Sequence, residues 1–284
     1  MFTTLISVEN LARHLGDPTW ILFDCRHDLP KPESGRAAYH AGHIPGARFA
    51  HLDEDLSGPK TGRNGRHPLP ARDTWVRFLR ASGVDPNSQV VAYDASGGMF
   101  AARLWWQTRW IGHEAVAVLD GGLPAWERAG LPQNNSPASL KTGNIVAAPS
   151  LTAITDVDAI RANLTTQAQL IVDARAPERY RGDIEPLDRV GGHIPGALNH
   201  FYQNNLERDA RFLPGSQLRD QFRALIGERE ASSIVHQCGS GVSACHNLLA
   251  MQVAGLHGSA LYPGSWSQWC ADPERPVAAG PATS

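Results

Sequence analysis

The chain has 284 residues, with 26 Lys and Arg against 28 Asp and Glu, so its formal net charge is −2. It is 42% hydrophobic and 19% charged, a balance that favours a folded protein over a disordered one. The near-neutral charge lacks the basic excess of a typical nucleic-acid binder, so we predict no nucleic-acid partner. No apolar stretch is long enough to span a membrane, and four cysteines make no disulfide framework, so a soluble, cytoplasmic protein without a membrane partner is expected.

The first half of the chain alternates short apolar strands with helices. Apolar and β-branched runs predict strands over residues 20–23, 89–92 and 116–119. Apolar residues at helical spacing predict helices over 71–82 and 101–111. Nearly continuous apolar strands separated by helices indicate a parallel sheet with helices on both of its faces.

The second half repeats this order. Strands are predicted over residues 170–172, 233–236 and 260–262, and helices over 218–227 and 242–254. We therefore predict an α/β fold with two parallel sheets, one in each half of the chain. Because ligands of such sheets bind beyond the carboxyl ends of the strands, each half offers one candidate site.

Two motifs occur once in each half and indicate a duplicated domain. The sequence His-Ile-Pro-Gly-Ala begins at His43 and again at His193, and each copy follows a strand that ends in Asp-x-Arg. The repeat length, about 145 to 150 residues, is far too long for a solenoid unit and suits a complete domain. Polar and turn-forming residues from Gln133 to Ser139 and beyond mark the seam. We predict an N-terminal domain over 1–145 and a C-terminal domain over 146–284.

A cysteine follows a strand in the second half, at the position where a ligand is expected. Cys238 precedes Gly-Ser-Gly and a helix predicted to begin at about Val242. Backbone N–H groups of such a loop, together with the positive end of the helix dipole, stabilise a thiolate and any anion bound to it. We predict Cys238 as a nucleophile, against the alternative of a buried structural cysteine. The equivalent position of the first half is Asp94, so that domain is expected to be non-catalytic.

Together these features resemble the two-domain rhodanese family of sulfurtransferases. The resemblance rests on the two His-Ile-Pro-Gly-Ala motifs, on Asp94 in the nucleophile position, and on Leu-Asp-Gly-Gly at 119–122. It also rests on Cys-Gly-Ser-Gly-Val-Ser-Ala over 238–244, and it covers nearly the whole chain. This loop is most similar to that of the 3-mercaptopyruvate sulfurtransferases, in which a threonine stands at the position of Ser243. The resemblance implies two tandem rhodanese-like domains.

The resemblance also implies sulfur transfer through a persulfide on Cys238. The donor would be 3-mercaptopyruvate, which releases pyruvate, and the acceptor would be a thiophile such as cyanide, a small thiol or thioredoxin. No metal and no organic cofactor is implied. Family positions imply that Ser240, His67 and Asp53 form a proton relay. The remaining loop residues would bind the transferred sulfur and the donor: Gly239, Gly241, Val242, Ser243 and Ala244.

Members of the family bind the donor carboxylate with two arginines. Arg179 matches the first of them. The second family position, before His193, holds Pro186 in this chain, and the nearest arginine is Arg189, which is the predicted substitute. Thiosulfate-preferring rhodaneses carry Arg and Lys where residues 239–240 are Gly and Ser here. A neutral loop favours a monoanionic donor over the thiosulfate dianion.

Other functions are left open by the sequence to different degrees. A thiosulfate:cyanide sulfurtransferase is the nearest alternative, because backbone N–H groups could still bind the dianion. A sulfur-carrier or binding module without turnover is a second. A protein phosphatase of the same fold is disfavoured, since its Cys-x5-Arg motif needs an arginine where this chain has Ala244.

Overall fold

The structure, a computed structural model, describes residues 1–138 and 141–281. Ser139, at the end of the predicted seam, lies outside the described residues. The chain divides into two compact units: unit 1 comprises Met1–Gly58, Leu69–Leu151 and Leu206–Phe212, and unit 2 comprises Pro59–Pro68, Thr152–Asn205 and the residues from Leu213 onward. A short segment of each half of the sequence therefore belongs to the other unit. The predicted domain boundary at residue 145 stays a prediction.

Unit 1 contains a five-stranded parallel sheet and five α-helices. The strands are β1 (Leu5–Ile6), β2 (Trp20–Asp24), β3 (Arg48–Phe49), β4 (Gln89–Tyr93) and β5 (Val116–Leu119). The helices are α1 (Val8–Ala12), α2 (Glu33–Ala41), α3 (Arg72–Ala81), α4 (Ala101–Trp110) and α5 (Gly122–Arg128). The strand order is β1-β5-β4-β2-β3, and every paired strand is parallel.

Unit 2 repeats this architecture. Its strands are β6 (Ala153–Ile154), β7 (Leu170–Asp173), β8 (Leu198–Asn199), β9 (Ile234–Gln237) and β10 (Ala260–Leu261). Its helices are α6 (Val157–Thr166), α7 (Pro177–Arg181), α8 (Gly215–Ile226), α9 (Ser243–Val253) and α10 (Ser265–Trp269), and 3-10 turns cover Tyr202–Asn205 and Ala231–Ser233. The order β6-β10-β9-β7-β8 is the same permutation as in unit 1. The predicted α/β class with a parallel sheet in each half is confirmed.

The burial of the central strands explains why their apolar runs could be recognised in the sequence. All residues of β4 and all residues of β9 are buried, so these strands need apolar side chains on both faces of the sheet. Most predicted helix ends fall within one or two residues of the observed ones, but α8 begins at Gly215, three residues before the predicted start. Across residues 1–138 and 141–281, no helix combines the length and the apolar character that a membrane crossing requires.

A buried ion pair at the end of one strand is repeated in both units. In unit 1, Arg26 Nη2 donates to Asp24 at 2.6 Å and to the Gly42 carbonyl at 2.7 Å. In unit 2, Arg175 Nη2 donates to Asp173 and to the Gly192 carbonyl, both at 2.6 Å. Each arginine therefore ties its strand to the chain just before the His-Ile-Pro-Gly-Ala turn. Burial alone would lower the pKa of Arg175, but the Asp173 carboxylate raises it above the ordinary value.

Candidate active site

Cys238 lies directly after β9, in the loop that leads to α9. The residue is only 2% exposed. The N–H of Gly241 donates to Cys238 Sγ at 3.1 Å. The Cys238 N–H donates to Ser265 Oγ at 3.1 Å, and the Cys238 carbonyl accepts from the Trp266 N–H at 2.9 Å. The nucleophile position is thus fixed by its own backbone, and a backbone donor is directed at its sulfur.

The rest of the loop wraps closely around this position. The four residues Gly239, Ser240, Gly241 and Val242 are buried, as is Ala244, and Ser243 is partly exposed. The α9 helix begins at Ser243, and no side chain caps its first turn. The N–H groups at this end of the helix have no intrahelical acceptor, so the site offers hydrogen-bond donors and a positive dipole end to an anion. These are the properties that a persulfide requires.

Asp94 shows what the equivalent loop does in unit 1. One carboxylate oxygen accepts from Ser96 N–H at 2.7 Å and Gly98 N–H at 2.9 Å, and the other accepts from Phe100 N–H at 2.8 Å and Ala101 N–H at 2.9 Å. Burial raises the pKa of the Asp94 carboxyl, while these four hydrogen bonds act against the rise. The duplicated loop therefore directs several backbone donors at the side chain that occupies the nucleophile position.

Two of the predicted relay residues are in direct contact. His67 belongs to the Pro59–Pro68 segment of unit 2 and is buried. Its Nδ1 lies 2.7 Å from Ser240 Oγ, a hydrogen bond whose donor depends on the ring tautomer. The hydroxyl two residues after Cys238 in the sequence is thus hydrogen bonded to an imidazole. This arrangement can carry a proton to or from a reacting group.

The third predicted relay residue, Asp53, belongs to unit 1. Its Oδ2 lies 3.9 Å from His27 Nε2, and its N–H donates to His51 Nδ1 at 3.2 Å. These three side chains are close enough to raise the question of a metal site. Because His51 Nδ1 accepts a hydrogen bond, the neutral ring carries its proton on Nε2, which then has no lone pair for a metal. The donor set therefore does not fit a metal ion, and the role of Asp53 in a relay stays a prediction.

Arg179 lies on α7 and is held by two carboxylates. Its Nη2 donates to Glu185 Oε1 at 2.6 Å and lies 3.3 Å from Asp188 Oδ2. The other Asp188 oxygen accepts from Arg66 Nη1, so one carboxylate joins two guanidinium groups. Burial raises the pKa of Asp188, and the neighbouring Arg66 opposes this rise. Burial would also raise the pKa of Glu185, but the hydrogen bond from Arg179 lowers that pKa below its ordinary value. The side chain of Arg189 is exposed, and the described residues provide it with no ion pair.

Sequence reasoning missed several residues that support this site. The Ser265 hydroxyl accepts the hydrogen bond of the Cys238 N–H. The backbone φ of Ser265 is 53°, a left-handed conformation that is uncommon for serine. Its counterpart in unit 1 is Gly122, the first residue of α5, which has a φ of 57°. Arg66 and Asp188 were also missed as partners. They are far apart in sequence and outside every repeated motif, so no local pattern could have joined them.

Comparison with known proteins identifies the family. A model of the rhodanese-like domain matches residues 7–129 and 156–272. The chain belongs to the rhodanese family. The resemblance seen in the sequence is therefore confirmed, with one rhodanese-like domain in each half.

Relatives of this rhodanese-family chain match it over its full length. The Pseudomonas aeruginosa protein "Probable 3-mercaptopyruvate sulfurtransferase" is 45% identical, and the match covers 97% of this chain and 98% of that protein. A Mycobacterium tuberculosis protein named as a thiosulfate sulfurtransferase is 40% identical over 98% of each chain. The crystal structure of SseA from Escherichia coli, described as a 3-mercaptopyruvate sulfotransferase, superposes with a TM-score of 0.80 and 31% identity, covering 93% of this chain and 99% of that one.

Proposed function

We propose that this chain is a sulfurtransferase that moves sulfur from 3-mercaptopyruvate to a thiophilic acceptor through a persulfide on Cys238. The observation that carries the proposal is the 2.7 Å hydrogen bond between His67 and Ser240, in the loop whose Gly241 N–H faces the Cys238 sulfur. A mercaptopyruvate reaction must relocate a proton, whereas transfer from thiosulfate needs no such step. The names of the Pseudomonas aeruginosa and Escherichia coli relatives support the same activity.

The first half-reaction balances as a transfer of neutral sulfur. The Cys238 thiolate attacks the donor sulfur, an S–S bond forms, and the bond between that sulfur and C3 of the donor breaks. The electron pair of the broken bond stays on C3, which takes up the proton that the donor thiol gives up. The products are pyruvate and a persulfide anion on Cys238. The second half-reaction passes the outer sulfur to the acceptor and restores the thiolate.

Ser240 and His67 supply the route for that proton. Ser240 Oγ is hydrogen bonded to the imidazole and belongs to the loop that carries Cys238, so in this proposal it exchanges its proton with the donor while His67 balances its charge. Asp53 is included in the proposed relay on its family position alone. The N–H groups of Gly239, Gly241, Val242, Ser243 and Ala244 receive the negative charge that builds up on sulfur.

The N-terminal domain, residues 1–145, is non-catalytic in this proposal. Its nucleophile position holds Asp94, whose carboxylate already accepts four backbone N–H groups. A carboxylate in this position fills the space that an attacking sulfur would need. It also repels an anionic donor, so we assign turnover to the C-terminal domain alone.

Thiosulfate is the second candidate donor, and a specific observation favours it. Two guanidinium groups, those of Arg66 and Arg179, lie beside Gly239 and could bind a dianion although the loop itself is neutral. Both are already paired with Glu185 or Asp188, which leaves little net positive charge. We therefore expect thiosulfate to be the poorer donor.

Steady-state kinetics with both donors test the proposal. The ratio kcat/KM is measured for 3-mercaptopyruvate and for thiosulfate with cyanide as acceptor, in the native chain, in Cys238→Ser and in Cys270→Ser. Cys270 is a matched control, since it is a buried thiol of unit 2 outside the loop. We expect a preference for 3-mercaptopyruvate that only Cys238→Ser abolishes. A preference for thiosulfate would contradict the donor assignment, and turnover retained in Cys238→Ser would contradict the persulfide route.

The acceptor and the compartment are part of the proposal as well. Cyanide, a small dithiol and reduced thioredoxin can be compared directly as acceptors of the Cys238 persulfide. The four cysteines are present as thiols rather than disulfides, which suits a reducing cytoplasm: Cys25, Cys238, Cys245 and Cys270.

A further inference from the structure

We propose that Arg66 determines donor specificity: together with Arg179 it binds the donor carboxylate, and Asp188 is a built-in competitor for the same two guanidinium groups. This inference rests on the proposed function, because it concerns the donor site of the same reaction.

Both guanidinium groups lie beside the residue that follows the nucleophile. A methyl group placed on Gly239 would be 2.8 Å from Arg66 Nη2 and 3.5 Å from both terminal nitrogens of Arg179. The two guanidinium groups therefore approach the backbone of the catalytic loop directly. The Arg66 N–H donates to Ser267 Oγ at 3.0 Å, and the Ser267 N–H donates to the Gly239 carbonyl at 2.9 Å. Arg66 is therefore fixed to the loop through its backbone.

Asp188 already demonstrates that this pair binds a carboxylate. One of its oxygens is hydrogen bonded to Arg66 Nη1 and the other lies 3.3 Å from Arg179 Nη2. The Asp188 side chain is 4% exposed, whereas the Arg66 side chain is 28% exposed. A carboxylate from solution can thus approach Arg66 from its open side. Guanidinium groups present paired N–H donors that match the two oxygens of such a ligand.

The charges around the pair explain why Asp188 acts as a competitor. Arg66 and Arg179 carry two positive charges, and Glu185 and Asp188 carry two negative charges. A donor carboxylate added to this balanced group must displace Asp188 or repel it. Burial raises the pKa of Asp188, so its anion is the less well stabilised of the two carboxylates and the easier one to displace.

Arg66 fits the role of the second arginine better than Arg189 does. The Arg189 side chain is exposed, and among the described residues it forms no salt bridge. Arg66 touches the loop, shares a carboxylate with Arg179, and precedes the His67 that contacts Ser240. One short segment thus carries a proton-transfer group and a charge that selects the donor.

The experiment measures carboxylate recognition without requiring turnover. Pyruvate and its neutral amide are compared for their ability to protect Cys238 from iodoacetamide, followed by mass spectrometry of the Cys238 peptide. The variants are Arg66→Met, Arg66→Lys and Asp188→Asn. Arg63→Met is the matched control, because Arg63 is an exposed arginine of the same segment. Arg66→Lys keeps the charge without the fork and guards against a folding defect of Arg66→Met.

We expect the native chain to prefer pyruvate over the amide. Arg66→Met should reduce that preference about tenfold, the typical effect of losing a charge-assisted hydrogen bond. Arg66→Lys should reduce it less, Asp188→Asn should increase it, and Arg63→Met should leave it unchanged. In turnover, Arg66→Met should raise KM for 3-mercaptopyruvate more than it lowers kcat.

Several results would overturn the inference. A preference that survives in both Arg66 variants, or one that Arg189→Ala removes instead, assigns the carboxylate to other groups. An unchanged preference in Asp188→Asn contradicts the competition. If the native chain turns over neither donor while the pyruvate preference still depends on Arg66, the carboxylate site stands and the proposed function fails. If 3-mercaptopyruvate is turned over without any dependence on Arg66, the proposed function stands and this inference fails.

Discussion

Replacing Gly241 by alanine should affect both the geometry of the catalytic loop and the stability of the fold, and the two effects can be measured separately. Its φ is 77°, in the left-handed region, and its N–H donates to Cys238 Sγ at 3.1 Å. A Cβ atom on this residue would lie 2.4 Å from the Pro263 carbonyl oxygen and 3.0 Å from Pro263 Cα. Both contacts are with backbone, so the loop itself has to move in Gly241→Ala.

Two energies can be assigned to this substitution. The left-handed conformation costs a residue with a side chain about 1–2 kcal/mol of folding free energy. The clash with Pro263 adds to this and shifts the N–H away from the sulfur. A hydrogen bond to a charged group contributes about 1.5–3 kcal/mol, so its loss should lower the rate of persulfide formation roughly ten- to hundredfold.

Gly196→Ala is the matched control. Gly196 has a φ of 79°, close to that of Gly241, and a Cβ atom added there would have no neighbour within 4 Å. Urea unfolding should show a loss of about 1–2 kcal/mol in Gly196→Ala and a larger loss in Gly241→Ala. Stopped-flow measurement of pyruvate release should show a slower first half-reaction in Gly241→Ala alone. Equal losses of stability in the two variants, with equal rates, would refute the reasoning.

Three further changes test other parts of the site and fold. Ser240→Ala removes the partner of His67, so kcat for 3-mercaptopyruvate should fall at least tenfold while the thiosulfate rate changes little, and a parallel fall with both donors would argue against the relay. Asp94→Ala leaves four backbone N–H groups without their acceptor, three of them on buried residues, and should cost at least about 2 kcal/mol in urea unfolding. A neutral result would contradict the role of these hydrogen bonds. Burial lowers the pKa of His236 to about 3, so the unfolded chain binds a proton below about pH 6.5 that the folded chain does not. Stability should therefore fall as the pH drops from about 6.5 towards 3, by up to about 1.4 kcal/mol per pH unit, and His236→Gln should flatten that profile in pH-dependent unfolding.

The central strands could be predicted from the sequence because burial on both faces leaves a continuous apolar run. β4 and β9 are such strands. The edge strands could not, since β1, β3, β6 and β8 have two residues each and only partial burial, or none, on most of their positions. A two-residue strand forms because a neighbouring strand provides its hydrogen bonds, and that information is not local.

The candidate site shows the same difference between features that local sequence predicts and features that depend on tertiary packing. The location of Cys238 between a strand and a helix could be predicted because strand, glycine-rich loop and helix follow one another in the sequence. The contact between His67 and Ser240 came from the family resemblance, and the pairing of Arg66 with Asp188 came from neither source. Long-range ion pairs depend on how loops pack, and charged residues in loops show no periodic pattern from which that packing could be predicted.

The internal duplication gives this protein a physical control for its own active site. Each loop follows the fourth strand of its unit in chain order. In each loop a carbonyl accepts from the N–H of the residue after a left-handed position: Leu123 donates to the Asp94 carbonyl at 2.8 Å, and Trp266 donates to the Cys238 carbonyl at 2.9 Å. The scaffold is therefore the same, and only the side chain in the nucleophile position differs. Where it is a carboxylate, four backbone N–H groups of the loop already donate to it. Where it is a thiol, the Gly241 N–H faces the sulfur, and we expect the other donors at the helix end to bind the second sulfur once it has been added. We therefore expect the loop to stabilise the persulfide more than the thiolate, and this difference favours the transfer of sulfur to Cys238.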